Sequence, residues 1–251
     1  MPHDPAIIYG ARARLGLIVP PTNTVNEAEW RAMIPPGVSF HTQRMRLHAD
    51  VAGAAGQAAL HADLDAAFAM LMPAGVAVIA YACTAGSMIS PPEALPDALA
   101  ERNGVAAVTT AAAIVTGLRA LGVRRLSVAT PYAQALNDHE THFLEGCGFE
   151  VAALIGLGIG AGGPHEFPRI ARTPLDAVLA HARAAFVPGS DALLITCTDF
   201  PTLPLIEALE EELGVPVVTS NQATLRACLR AAGIMDGVPG AGRLLRAPDA
   251  I

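Results

Sequence analysis

Two cysteines stand at matching places in this chain, each followed by threonine: Cys83-Thr84 and Cys197-Thr198. Each pair ends an apolar run rich in β-formers, Val76–Ala82 and Ala192–Thr196. The stretches beyond the two pairs match as well. Both units read as a turn, a helix, Gly-Val, a short strand ending in Val-Thr, and a helix closing on Leu-Arg-Ala-x-Gly. The cysteines lie 114 residues apart, and the strands that open the two halves, at Leu15 and Leu126, lie 111 apart. This is an internal duplication, and it predicts two thiols facing each other across a pseudo-twofold axis.

Two facing thiols suit chemistry that needs no redox or metal cofactor. One thiolate can take an α-proton while the other thiol returns one on the opposite face, which is racemisation. Alternatively, a thiolate adds to an electron-poor C=C, the adduct rotates about the new single bond, and the thiolate leaves, which is cis–trans isomerisation. Both need an electron sink, a carboxylate whose developing charge is held by Asn, Thr and backbone donors. The bland alternative is that duplication copied a structural cysteine, since free cysteine often behaves as a small hydrophobe. Cys147, in a helix-to-strand turn, and Cys228, on the predicted helix Ala223–Ala232, are read as packing residues.

The surrounding elements must place these groups. Leu15–Val19 is a short buried strand stopped by Pro20-Pro21, and a helix comes next, from Val25 to Met33. Ligands of parallel α/β sheets bind beyond the strands' carboxyl ends. Asn23 therefore stands where its amide can meet a substrate carboxylate, or where it caps the helix as an Asx turn; position alone favours the cap. Arg44 and Arg46, after the strand Val38–Arg44, can pair with a carboxylate bidentately or form ordinary ion pairs. His48 and Asp50 begin a connection to the helix Gln57–Met72. Thr84-Ala85-Gly86-Ser87 reads as a small-residue turn whose N–H groups can hold an anion and draw the Cys83 thiol towards neutrality. Leu126–Thr130 repeats the opening strand and places Tyr132 near the position of Asn23, as a cleft-wall or packing residue. Phe149–Ile155 reads as a strand, and the glycine-rich Gly156–Pro164 as a flexible loop over the cleft, not a dinucleotide fingerprint. The tail from Asp236 reads as irregular.

Composition narrows the class. The chain has 251 residues, 52% hydrophobic and 16% charged, with a formal charge of −7. That suits a packed α/β protein with buried parallel strands. It speaks against nucleic acid or an anionic membrane surface as partner. The amino-terminal segment lacks the apolar core of a signal peptide. The uncharged run Ala66–Pro92 is broken by Pro73 and Gly75 and reads as core, not a membrane span. The expected location is therefore the cytoplasm, a reducing compartment where disulfides are improbable, and four cysteines without CxxC or zinc-ligand spacing give no metal site.

LGLIVPPTNTVNEAE, FHTQRMRL, YACTAGS, ATPY and ITCTDFPTLPLIEALEEELGVPVVTSNQAT together resemble the aspartate/glutamate racemase superfamily, closest to the maleate cis–trans isomerases, with arylmalonate decarboxylases and ectoine-utilisation proteins nearby. The resemblance runs from about Arg14 to Gly233. It implies two Rossmann-like, pseudo-twofold-related subdomains with parallel sheets and the active site between them. It places residues 1–112 plus 224–251 in one and 113–223 in the other. It implies Cys83 as nucleophile or base, Cys197 as its partner, and Asn23 and Tyr132 on substrate carboxylate or reactive oxygen. With Thr84, Ala85, Thr198 and Asp199 these complete the expected site. Both thiols are present, unlike the arylmalonate decarboxylase pattern, which retains only the second. The loop GIGAGGPHEFPRIARTP lacks the Asn that maleate isomerases carry there, and Asp199 is more like the amino-acid racemases. The expected activity is cofactor-independent isomerisation of a small maleate-like dicarboxylate. An Asp/Glu-type racemase and a non-catalytic small-molecule binding module are the alternatives. The resemblance also implies a homo-oligomer, a dimer.

Overall fold

The computed structural model describes residues 8–48 and 53–246. Asp50 and the last five residues of the tail lie outside them. The first half runs β1 (Ala13–Val19), α1 (Asn26–Met33), β2 (Val38–Arg44), α2 (Ala54–Leu71), β3 (Val78–Tyr81), α3 (Thr84–Ser87), α4 (Ala94–Asn103), β4 (Ala106–Thr109) and α5 (Thr110–Ala120). The second half runs β5 (Arg125–Tyr132), α6 (Gln134–Gly146), β6 (Glu150–Ile159), α7 (Leu175–Ala185), β7 (Ala192–Ile195), α8 (Ile206–Leu213), β8 (Val217–Thr219), α9 (Ser220–Ala231) and α10 (Gly242–Arg246).

The strands form two four-stranded parallel sheets with the same topology, β2-β1-β3-β4 and β6-β5-β7-β8. The expected doubled α/β architecture is borne out. The inner strands read as unbroken apolar runs because helices cover both faces: VIAY of β3 and ALLI of β7 are buried at every position. On one face of the first sheet, Leu60, Leu64 and Phe68 of α2 meet Ile18 and Ile79. Burying each such side chain contributes about 1.5–3 kcal/mol.

The two halves exchange their last helices. α5 leaves β4 and packs Ile114, Val115 and Leu118 on Leu126, Val128 and Leu194 of the second sheet. α9 leaves β8 and packs Leu225, Cys228 and Leu229 on Leu15, Leu17 and Val78 of the first. α5 and α9 also pack on each other. This exchange holds the carboxyl ends of the two sheets against one another.

Two local expectations change. Gly156–Ile159 continues β6 rather than opening a flexible loop. Gly156 is there for close approach, since a Cβ would run into the Asn137 amide and the Tyr132 carbonyl. The glycines after β6 turn the chain around Glu166, whose carboxylate accepts the N–H groups of Gly160 (2.8 Å) and Gly162 (3.2 Å). In the tail, Leu244 and Leu245 are buried, and burying this apolar pair lets Gly242–Arg246 form a short helix where irregular chain was expected. Among the described residues, no helix is long and apolar enough to cross a membrane.

Candidate active site

A cavity of about 260 Å³ lies between the halves, at the carboxyl ends of β1, β3, β5 and β7. All eight residues singled out in the sequence line it: Asn23, Cys83, Thr84, Ala85, Tyr132, Cys197, Thr198 and Asp199. The duplication explains the convergence. Each cysteine stands two residues beyond the last residue of the third strand of its half, Tyr81 or Ile195.

Cys83 caps α3. Its Sγ accepts the Gly86 N–H at 3.4 Å and a hydrogen bond from the Tyr81 hydroxyl. Gly86 is required here, because a Cβ would collide with that hydroxyl. Burial nevertheless pushes the Cys83 thiol up, against the lowering by Gly86 and Tyr81. This corrects the expected drift towards neutrality. One helical turn brings a single N–H to the sulfur, and desolvation of the charged form outweighs it.

Cys197 is built differently. It has φ +90°, the one non-glycine residue with positive φ among the described residues. Such a conformation costs on the order of 1–3 kcal/mol and recurs at functional sites. Its sulfur accepts hydrogen bonds from the Asp199 N–H and the Tyr132 hydroxyl, and burial nevertheless pushes the thiol up to about 12. Burial, with the adjoining thiol adding to it, raises both tyrosine hydroxyls, so each stays protonated and donates to sulfur. The two thiols are close enough to interact: Cys83 adds to the cost of ionising Cys197.

The threonines and Ser220 hold the two turns together. The Thr84 and Ser220 hydroxyls pair at 3.0 Å, and the Ser220 hydroxyl accepts the Cys197 N–H at 3.0 Å. The Thr198 hydroxyl donates to the Ala82 carbonyl at 3.0 Å and accepts from the Asn23 amide at 3.0 Å. Asn23 plays the capping role as well, its Oδ1 accepting the N–H groups of Val25 and Asn26. Asp199 Oδ1 accepts the N–H groups of Thr24 (2.7 Å) and Val25 (3.3 Å), while Oδ2 is buried without a hydrogen-bond partner. Burial pushes this carboxyl up to about 6.

The arginines stay out of the cavity. Arg44 pairs with Glu27 at 2.5 Å and donates to the Asn23 carbonyl at 2.7 Å, and Arg46 pairs with Asp63 at 2.8 Å. Among the described residues, no group of three or more His, Cys, Asp or Glu side chains is placed to hold a metal. Sequence reasoning missed Tyr81, although it sits two residues before Cys83 in the repeated strand. It also missed Ser220, although Val-Thr-Ser matches Val-Thr-Thr of the first half. It missed the apolar part of the wall, Leu47, Leu136, Ile159, Phe167 and Ile170, which no motif marks.

The family model described as arylmalonate decarboxylase matches residues 15–245. The chain belongs to the arylmalonate decarboxylase family. Within that family, it is 34% identical over 251 residues to the maleate isomerase of Nocardia farcinica, covering 95% of this chain and 97% of that one. It is 32% identical to the arylmalonate decarboxylase of Bordetella bronchiseptica, covering 92% and 95%. The fold superposes with a TM-score of 0.82 and 32% identity on a Nocardia farcinica maleate cis–trans isomerase structure, covering 93% of this chain and 98% of that chain. That structure is a cysteine-to-serine mutant with a covalently bound succinylcysteine intermediate. The resemblance read from YACTAGS and ITCTDFP is thus borne out at the level of the family and its maleate isomerase members.

Proposed function

We propose that this protein is a cofactor-independent isomerase that turns a maleate-type dicarboxylate into its trans isomer through a thiol adduct. One observation carries the reading: two thiols, each bearing a tyrosine hydroxyl, meet in one cavity of a chain that matches maleate isomerases along almost its whole length.

Cys83 is the nucleophile. Its sulfur has two donors, the Gly86 N–H and the Tyr81 hydroxyl, to stabilise the thiolate. The thiolate forms a C–S bond to one alkene carbon as the π bond breaks. Cys197, a thiol held protonated by burial, gives its proton to the neighbouring carbon. The resulting succinyl adduct on Cys83 turns about its new single bond. The Cys197 thiolate takes a proton back, the C–S bond breaks, and the trans alkene leaves; no electrons are gained or lost. Asn23, Thr84, Thr198, Tyr132 and the Ala85 backbone grip the carboxylates, and Asp199 borders them. The enzyme works in the cytoplasm as a homodimer. Ile155 and Leu157, exposed on the edge strand β6, supply an apolar surface for it.

The test is to trap the adduct. Cys197→Ser removes the acid of the second thiol while keeping Cys83. After incubation with maleate, peptide mass spectrometry should find the succinyl group on the peptide bearing Cys83, and Cys83→Ala should neither turn over nor label. Labelling elsewhere, or a Cys83→Ala protein that retains most activity, would sink the assignment.

A further inference from the structure

From the uneven lining of the cavity, we infer that the preferred substrate is a maleate bearing an apolar group on one alkene carbon, a 2-alkylmaleate, received by Leu47, Leu136, Ile159, Phe167 and Ile170. The inference rests on the isomerase reading above and names its substrate class.

The polar part of the lining comes from the strand ends. There, the Cys83-Thr84 and Cys197-Thr198 turns are equivalent under the duplication. Two equivalent turns give two grips, one for each carboxylate of a maleate. The five large apolar side chains do not share that symmetry. Leu136 comes from α6, Ile159 from the end of β6, and Phe167 and Ile170 from the 3-10 turn at Pro164–Arg169 and its cap, all in the second half. Only Leu47 comes from the first. No Arg, Lys or His lines the cavity among the described residues, so this wall offers nothing to a carboxylate. A buried carboxylate without a partner is costly, whereas an alkyl group against such side chains is stabilised. With both carboxylates at the strand ends, the group that meets the wall is a substituent.

The substituent leaves the chemistry balanced. The Cys83 thiolate adds at the substituted alkene carbon, and the proton from Cys197 goes to the unsubstituted one, which becomes a CH2. After rotation the Cys197 thiolate takes the other hydrogen of that CH2, the C–S bond breaks, and the 2-alkylfumarate is released.

Proton NMR progress curves with purified protein would give kcat/KM for maleate, 2-methylmaleate and 2-ethylmaleate. The expected result is a rise of roughly four- to tenfold with each added methylene, from the burial of apolar surface. Phe167→Ala should move the optimum to a longer chain, such as 2-butylmaleate; Ile159→Val, a milder change, gives the same readout if the first variant does not fold. Turnover of maleate at least as fast as of its 2-alkyl derivatives would overturn the inference and leave the isomerase reading standing. An order of preference unchanged by these variants would overturn the assignment of the wall. Turnover of none of the three substrates would overturn both readings together.

Discussion

Cys83 and Cys197 carry the same residue type at the same point of a repeat, yet their surroundings divide the work. Each sulfur takes a backbone N–H, from Gly86 or Asp199, and a tyrosine hydroxyl, but Cys83 caps a helical turn while Cys197 sits in a strained turn where burial pushes its thiol up to about 12. Burial also raises Cys83, so its thiolate is scarce in the free enzyme at neutral pH. The account therefore predicts that kcat/KM climbs steadily from about pH 7 to 9, reporting the free enzyme's nucleophile. A flat profile over that range would mean a thiolate already formed at neutral pH.

A second prediction concerns Glu140, on α6. It is buried beside Tyr132, its Oε2 accepts the Thr196 hydroxyl at 3.2 Å, and burial pushes it up to about 8. The folded state binds this proton more tightly than the unfolded chain does. The group's contribution to stability is therefore full below pH 4.5 and lost as pH rises through about 8. Glu140→Gln should flatten that loss by up to ~1.4 kcal/mol per pH unit. Urea unfolding of both proteins at several pH values measures it, and equal slopes would refute it.

At the scale of elements, the site depends on α1 being welded to the second half. Glu29 of α1 accepts the N–H groups of Thr202 (2.6 Å) and Leu203 (2.7 Å) and the Asn221 amide (2.7 Å). Trp30 adds a bond from its indole N–H to the Asn221 carbonyl at 3.1 Å. Glu29→Ala orphans two buried donors and one half-buried donor at once and should cost about 3 kcal/mol or more. Thermal or urea unfolding reads that cost directly, and a loss below about 1 kcal/mol would show that water replaces the carboxylate.

Elements of this kind were largely legible in the sequence. The strand ending in Cys-Thr and the helix after it come from the repeat, and Asn23, Thr84 and Tyr132 reached the cavity with it. The thiol pKa values were not legible, because desolvation depends on what packs over the sulfur. Phe167 and Ile170 were not legible either, since they reach the cavity through a turn whose course depends on Glu166 gathering glycine N–H groups. Gly156 of β6 read as flexibility because its reason, contact with Asn137, lies in another element.

At the scale of the molecule, duplication supplies two sheets with one topology, and helix exchange presses their carboxyl ends together over a cavity. That arrangement makes sense of two thiols acting on one alkene from different sides. The most direct measurement is a proton NMR time course with maleate in deuterated, reducing buffer, run on the wild type and on Cys83→Ala. The account predicts that fumarate grows in with the wild type and not with the variant. Maleate left unchanged by folded wild-type protein, or converted equally by Cys83→Ala, would contradict it.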